Sequence, residues 1–258
     1  MHKIKCDNME IIGPILITFI AGLSTVLGSI IIFLNIKKER INAFITFCLS
    51  FSLAIMIGIS ITDLIPHSFF NLVNNYSFFK GIIISIVFFI LGAILIAKLS
   101  KKIEEQGSSN NLYRLGILNM LALMLHNLPE GIATFMSSYQ DIELGLKLAF
   151  AIMLHNIPEG ISIAVPIYYA TKSKSKAIMR TLISGFAEPL GAILTFLFLM
   201  PYINETMISI VLMLVAGIMI SLSINKLLPE SLKYKEDKYI YLGLISGTLL
   251  VITCTIFF

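Results

Sequence analysis

Two nine-residue segments, Met124-Leu-His-Asn-Leu-Pro-Glu-Gly-Ile132 and Met153-Leu-His-Asn-Ile-Pro-Glu-Gly-Ile161, stand 29 residues apart and differ at a single position. In each, a histidine and a glutamate are separated by one helical turn, His126 with Glu130 and His155 with Glu159, so each pair projects from one face of its helix. If the two faces meet, two imidazoles and two carboxylates converge, a ligand set suited to zinc, iron, manganese, cobalt or cadmium rather than to a hard cation. Asn127 and Asn156 lie about 100° round the helix from the histidines and offer carbonyl oxygens to a second, adjacent position. Glu130 and Glu159 are placed to bridge both. A further acid, Glu188 in Gly185-Phe-Ala-Glu-Pro-Leu-Gly191, is expected to complete the second position.

These residues lie in an intensely apolar chain. Of 258 residues, 57% are apolar and only 13% charged, against roughly 25% charged in soluble domains. That excludes nucleic-acid modules, nucleotide-binding α/β domains and disulfide scaffolds, and predicts an all-α integral membrane protein forming one transmembrane domain over 1–258. Long uncharged runs predict eight spans at about 11–35, 42–70, 79–99, 112–138, 144–170, 177–200, 206–232 and 238–258. The first is too long for a signal-peptide core of 7–15 residues. Of the 19 Lys and Arg, all but Lys3, Lys5, Lys80 and Lys147 fall at the odd-numbered connections, which puts those connections in the cytoplasm and both termini outside. The net charge of +4 is therefore a topology signal and implies no nucleic-acid partner; the partners are divalent metal ions and the lipid bilayer.

Ionisable groups at membrane depth are costly and mark function. Pro129 and Pro158 each remove an N–H and free a carbonyl four residues earlier, at Leu125 and Leu154, which is tolerated where the helix lines a cavity or ion path. Gly131 and Gly160 are expected to let the two motif helices approach closely. A weaker echo joins Ser60-Ile-Thr-Asp-Leu-Ile-Pro-His-Ser68 to Ser223-Ile-Asn-Lys-Leu-Leu-Pro-Glu-Ser231. The pairings of span four with five and of two with seven relate helices that cross in opposite directions. They predict an inverted repeat, three helices on each side of a central pair, with its site at the repeat interface.

Other candidates have blander readings. Asp63 is either a metal entry relay or a helix-end cap, His67 and Glu230 read as interfacial, and most of the 12 methionines as packing residues. Cys6, Cys48 and Cys254 are too scattered for a redox or thiolate site. Gly217-x3-Ser221 and Gly243-x3-Gly247 read as close helix contacts, within one chain or between two copies in a homodimer.

The duplicated motif, the Ala187-Glu-Pro-Leu-Gly191 segment, the eight spans and the outside termini together resemble the ZIP divalent-metal transporters. The similarity runs along essentially the whole chain. It implies a bundle arranged three, two and three in a bacterial inner membrane, and metal import, zinc first, toward the cytoplasm. It further implies a binuclear centre between helices four and five, with His126, Glu130, His155 and Glu159 at one position and Asn127, Asn156 and Glu188 at the other, both glutamates of the pair being shared. The connection beginning Lys101-Lys-Ile-Glu-Glu lacks the histidines common in such proteins, and Asn225-Lys226 stands where many have acids. Two rival readings of the same residues are a metal-dependent intramembrane hydrolase and a metal sensor without transport; the chain lacks HExxH and any separate nucleophile or base, which favours a protein that is not an enzyme.

Overall fold

The computed structural model describes residues 8–34, 40–105 and 112–257, with the backbone alone at 8–10, 103–105, 112, 114, 115, 118, 119, 122, 126 and 257. Cys6, Lys37 and Lys38, and the second half of the histidine-free connection, lie outside the described residues. No strand occurs among the described residues. In chain order the helices are α1 (Ile11–Phe33), α2 (Ile41–Asn75), α3 (Phe78–Lys102), α4 (Leu112–Gln140), α5 (Ile142–Thr171), α6 (Lys174–Tyr202), α7 (Glu205–Leu232) and α8 (Asp237–Ile256). Seven of them, all but α4, are long and apolar enough to cross a membrane. In α4 the polar motif sits among Asn119, Thr134, Ser137 and Ser138, whereas in α5 the same motif is followed by the apolar run Ile161-Ser-Ile-Ala-Val-Pro-Ile167.

The helix ends are fixed by local chemistry. Asp141 alone separates α4 from α5, and its carboxylate caps α5 by accepting from the N–H groups of Glu143 (2.9 Å) and Leu144 (3.4 Å). At the far end Lys172 adopts the left-handed conformation at φ 54°, and Ser173 caps α6 by accepting from the Lys176 N–H at 3.3 Å. Asn204 does the same for α7 through the Met207 N–H at 2.9 Å. Because one residue makes the α4–α5 turn, the two helices run antiparallel side by side. At 1.5 Å per residue, His126 and His155 both stand roughly 20 Å from Asp141. The two motifs thus share one depth, near the middle of a bilayer core about 30 Å thick.

The prolines leave α4 and α5 unbroken: both remain α-helical through Pro129 and Pro158, because one missing bond leaves the flanking i to i−4 bonds in place. The backbone yields elsewhere. α6 turns at Phe186, between Lys174–Gly185 and Ala187–Leu194, immediately before Glu188. α2 and α7 each contain a π turn, Ser60–Leu64 and Ser223–Leu227, followed at the second residue of the next turn by Pro66 and Pro229. These are the two segments that echo each other in sequence.

Glycines set the closest crossings. Gly131 and Gly160 were expected to bring α4 and α5 together, but a side chain at Gly131 would strike the Glu188 backbone of α6, and one at Gly160 the Thr25 backbone of α1. α1, α4, α5 and α6 therefore form one tightly crossed group. α3 lies on α7 and α8 on α2, while α2 against α5 and α7 against α4 join the two sets. Gly217 meets Phe89 of α3, and Gly243 and Gly247 meet Phe47 and Phe51 of α2, so both small-residue motifs act inside the chain and lend no support to a homodimer. The methionines behave as packing residues, with Met56, Met136 and Met219 fully buried. Cys48 is buried and Cys254 partly so, both as free thiols.

Gly217→Val is expected to destabilise the bundle by about 1–3 kcal/mol, since the collision is with backbone and no rotamer relieves it. Gly13→Ala, whose nearest neighbour is an Ile142 methyl at 3.6 Å, is expected to change little. Thermal unfolding of the two variants in detergent checks both.

Candidate metal centre

The one-residue turn after α4 and the bend in α6 bring polar groups from three helices to one depth. Asn127, Glu130, His155, Asn156, Glu159 and Glu188 are each at most 1% exposed. His155 Nδ1 lies 3.1 Å from the Ala151 carbonyl, an acceptor only, so Nδ1 carries the proton and donates it. That leaves Nε2 facing the centre. Nε2 lies 3.2 Å from Glu130 Oε1 across the α4–α5 contact, and two lone-pair acceptors at that distance need a proton between them.

Glu188 enters from α6. Its Oε1 accepts from Asn156 Nδ2 at 2.5 Å, and the same amide donates to the Ala21 carbonyl of α1 at 3.1 Å. Asn127 Nδ2 donates to the Ser184 carbonyl at 3.4 Å, just before the bend. Both amides thus use their N–H groups on neighbouring helices and keep their oxygens for the interior. Asn127 Oδ1, Asn156 Oδ1 and Glu188 Oε2 are buried without a hydrogen-bond partner among the described residues. Orphaned oxygens cost about 1–3 kcal/mol each, and a cation is the group that would satisfy three at once. Glu188 is within electrostatic reach of both Glu130 and Glu159, and His155 of the same two carboxyls.

The six described side chains gather at one level. The seventh candidate, His126, occupies its expected place on the α4 backbone, and its side chain lies outside the described residues. Among the described residues no group of three or more His, Cys, Asp and Glu is drawn into a ready metal cage. The two asparagines stand among the carboxyls at the same level, each with its side-chain oxygen unpartnered among the described residues. Asp63 is not brought here: it sits half-buried in the π turn of α2, with His67 and Lys147 as its charged neighbours. Glu230 pairs with Lys233 at 2.6 Å at the end of α7, in keeping with an interfacial role. Sequence reasoning did not single out Ala21 and Ser184, whose carbonyls orient the two amides. Their side chains carry no signal for it, because the backbone does the work.

If a divalent cation is the missing partner, zinc should raise the melting temperature of the purified protein and a chelator should reverse the rise. Each occupied position contributes about 2.7 kcal/mol at a hundredfold excess over its dissociation constant. Glu188→Gln is expected to reduce the shift, and an unchanged shift would remove Glu188 from the ligand set.

The family model described as ZIP Zinc transporter matches residues 95–255 of the chain. The Zinc transporter ZupT of Oceanobacillus iheyensis is 41% identical, with 95% of this chain and 97% of the relative covered. Those of Streptococcus mutans, at 37% with 97% and 99% covered, and of Clostridium perfringens, at 35% with 98% of both, are similarly close. An orphaned oxygen set at mid-membrane depth, two copies of one motif and this likeness along nearly the whole length have one reading: the chain belongs to the ZIP zinc transporter family.

Proposed function

We propose that this multi-pass membrane protein carries divalent transition-metal cations, zinc first among them, across the cell membrane into the cytoplasm. Iron, manganese, cobalt and cadmium suit the same nitrogen and oxygen donors. The observation that carries the reading is the set of buried, unpartnered oxygens of Asn127, Asn156 and Glu188 beside the Glu130–His155 contact. The relatives named as zinc transporters fix zinc as the first cargo to test.

In this reading the chain is a single domain of eight spans, α4 included, with both termini outside. The helix contacts support an inverted repeat. Exchanging α1 with α6, α2 with α7, α3 with α8 and α4 with α5 turns each main contact into another: α1–α5 into α4–α6, α2–α8 into α3–α7, and α2–α5 into α4–α7. The π turns of α2 and α7 exchange as well. The central α4–α5 pair then holds a binuclear site, with His126, Glu130, His155 and Glu159 at one position, Asn127, Asn156 and Glu188 at the other, and Glu130 and Glu159 shared. Asp63 is the outer approach to it. Lys147, which would oppose a cation there, is ion-paired with Glu143 at 3.0 Å.

The cargo sheds water for these ligands at mid-membrane and leaves toward the basic face. Neutralisation governs the step. Before the cation arrives, a proton bridges His155 and Glu130; a cation that takes the Nε2 lone pair and the carboxylate must expel it. Zinc added to the protein in weak buffer is therefore expected to release protons, and His155→Ala to release fewer. Zinc binding without proton release would contradict this protonation state.

Zinc uptake into proteoliposomes tests the function. Wild type is expected to carry zinc, and the Glu130→Ala/Glu159→Ala variant to lose at least about tenfold, the range expected on removing metal-site contacts. Binding without flux in wild type would replace the transporter by a sensor. Turnover of a peptide or lipid with no metal gradient would replace it by a hydrolase.

A further inference from the structure

Among the described residues, seven serines and threonines are buried on α1 and α6. Five of them, Thr18, Ser24, Ser29, Thr181 and Thr195, donate to a carbonyl three or four residues back, the local bond that a helical hydroxyl makes when nothing else is in reach. Thr25 and Ser184 do not. Both are fully buried, and neither hydroxyl has a hydrogen-bond partner among the described residues. For Thr25 the local bond is blocked, because the Ala21 carbonyl four residues back already accepts from the Asn156 amide at 3.1 Å and from the Ser24 hydroxyl at 2.5 Å. The two lie side by side on the edge of the metal centre. Ser184 stands one turn before Glu188 on α6, and its own carbonyl accepts from Asn127 Nδ2 at 3.4 Å. Thr25 stands one turn after Ala21 on α1, and a side chain at Gly185 would begin 3.3 Å from its hydroxyl. Its backbone also meets Gly160, one turn after Asn156 on α5. Three helices thus bring both hydroxyls to one level, about 6 Å along the bundle from the Asn156–Glu188 contact.

We propose that Thr25 and Ser184 together hold a water molecule that serves as the sixth ligand of the cation at the second position, and so fit that position to six-coordinate cations such as manganese. The inference rests on the transport reading and on the ligand set proposed with it. Asn127, Asn156 and Glu188, with the two shared glutamates, supply five oxygens, one short of the octahedral all-oxygen shell that manganese takes. Zinc is satisfied by four ligands, the two imidazoles and two carboxylates of the first position. A water bound to the cation through one lone pair keeps a second lone pair and two hydrogens, so it accepts from one hydroxyl and donates to the other. That one molecule gives both orphaned groups a partner. Removing the hydroxyls therefore acts on selectivity between the two cations, and leaves the charged ligands in place.

The test is uptake of zinc and of manganese into proteoliposomes at equal gradients, by wild type and by Thr25→Val/Ser184→Ala, which removes both hydroxyls with little change of shape. Wild type is expected to carry both cations. The double variant is expected to lose at least about tenfold in manganese uptake relative to zinc, the loss that follows removal of an outer partner of a metal ligand. Thr25→Ser, which keeps the hydroxyl, is expected to keep the wild-type ratio. The metal-free melting temperature of the double variant is expected to be no lower than that of wild type, because a buried unpartnered hydroxyl is a cost that the variant removes; a packing role alone would lower it. Ser184→Ala is the second variant should the double one fold poorly. An unchanged manganese-to-zinc ratio in a folded variant, or a wild type that carries zinc and no manganese, would overturn the inference by itself. Absence of zinc flux in wild type would overturn the transport reading and this inference with it.

Discussion

Three carboxyl groups, Glu130, Glu159 and Glu188, are buried to within 1% of completely in the middle of an apolar bundle, near enough to act on one another electrostatically. Like charges at such depth cannot all ionise without a partner, since removing each from water costs several kcal/mol. The fold answers this locally with one amide on Glu188 and one imidazole on Glu130. Both local partners are themselves tied to backbone carbonyls, Asn156 to Ala21 and His155 to Ala151. Those carbonyls belong to α1 and α5, which Gly160 holds at backbone contact. Close helix packing and the polar centre are thus a single design: loosening the α1–α5 crossing would move the Ala21 carbonyl that aims Asn156.

The same constraint explains where the backbone departs from the α-helix. At α4 and α5, which carry the duplicated His and Glu pairs, regular geometry is kept through the prolines, because His and Glu one turn apart share a face only in an intact helix. The irregularities fall on the helices around them: the 3-10 turn Ser29–Phe33 that ends α1, the bend of α6 before Glu188 with the π turn Thr195–Leu199 beyond it, and the π turns of α2 and α7. α6 has one acid to deliver, and a bend re-aims it. In α2 and α7 the π turns redirect Thr62 and Asp63 on one side and Asn225 and Lys226 on the other, positions that correspond in the sequence echo. An acid stands at one and a lysine at the other, so two related backbone devices present opposite charge.

Much of this was legible in the sequence, and the reason is chemical. In an apolar chain each intramembrane His, Glu or Asn is conspicuous, and duplication of His126-Asn127 with Glu130 as His155-Asn156 with Glu159 leaves little room for accident. The all-helical fold followed from composition, whereas the caps that fix the helix ends, Asp141, Ser173 and Asn204, went unread. What the sequence hid was whatever depends on which helices touch. Gly131 and Gly160 read as a contact between the motif helices because they lie in the same motif, yet they face α6 and α1. Pro129 and Pro158 announce a freed carbonyl in each motif helix but not whether the helix carries on, and the flanking bonds keep both continuous. The weaker apolarity of α4 has a similar origin, since a helix shielded by α5, α6 and α7 can carry Thr134, Ser137 and Ser138 where a lipid-facing helix could not.

Lys226 shows how a local irregularity and a long-range contact combine into something a linear reading misses. In sequence it counts toward the positive charge of an odd-numbered connection and stands, with Asn225, where many ZIP proteins have acids. In the folded chain the π turn brings it to a cavity between α3 and α7, beside Ser100, from a helix over 100 residues away. Ser221, which anchors that crossing by donating to Ala93, is also the last residue of the Gly217-x3-Ser221 motif, so the close packing of α3 on α7 and the polar rim of the cavity share one residue. A crossing built that way has two parts: glycine and serine bring the backbones together, and the register shift that follows opens a gap on the lipid side.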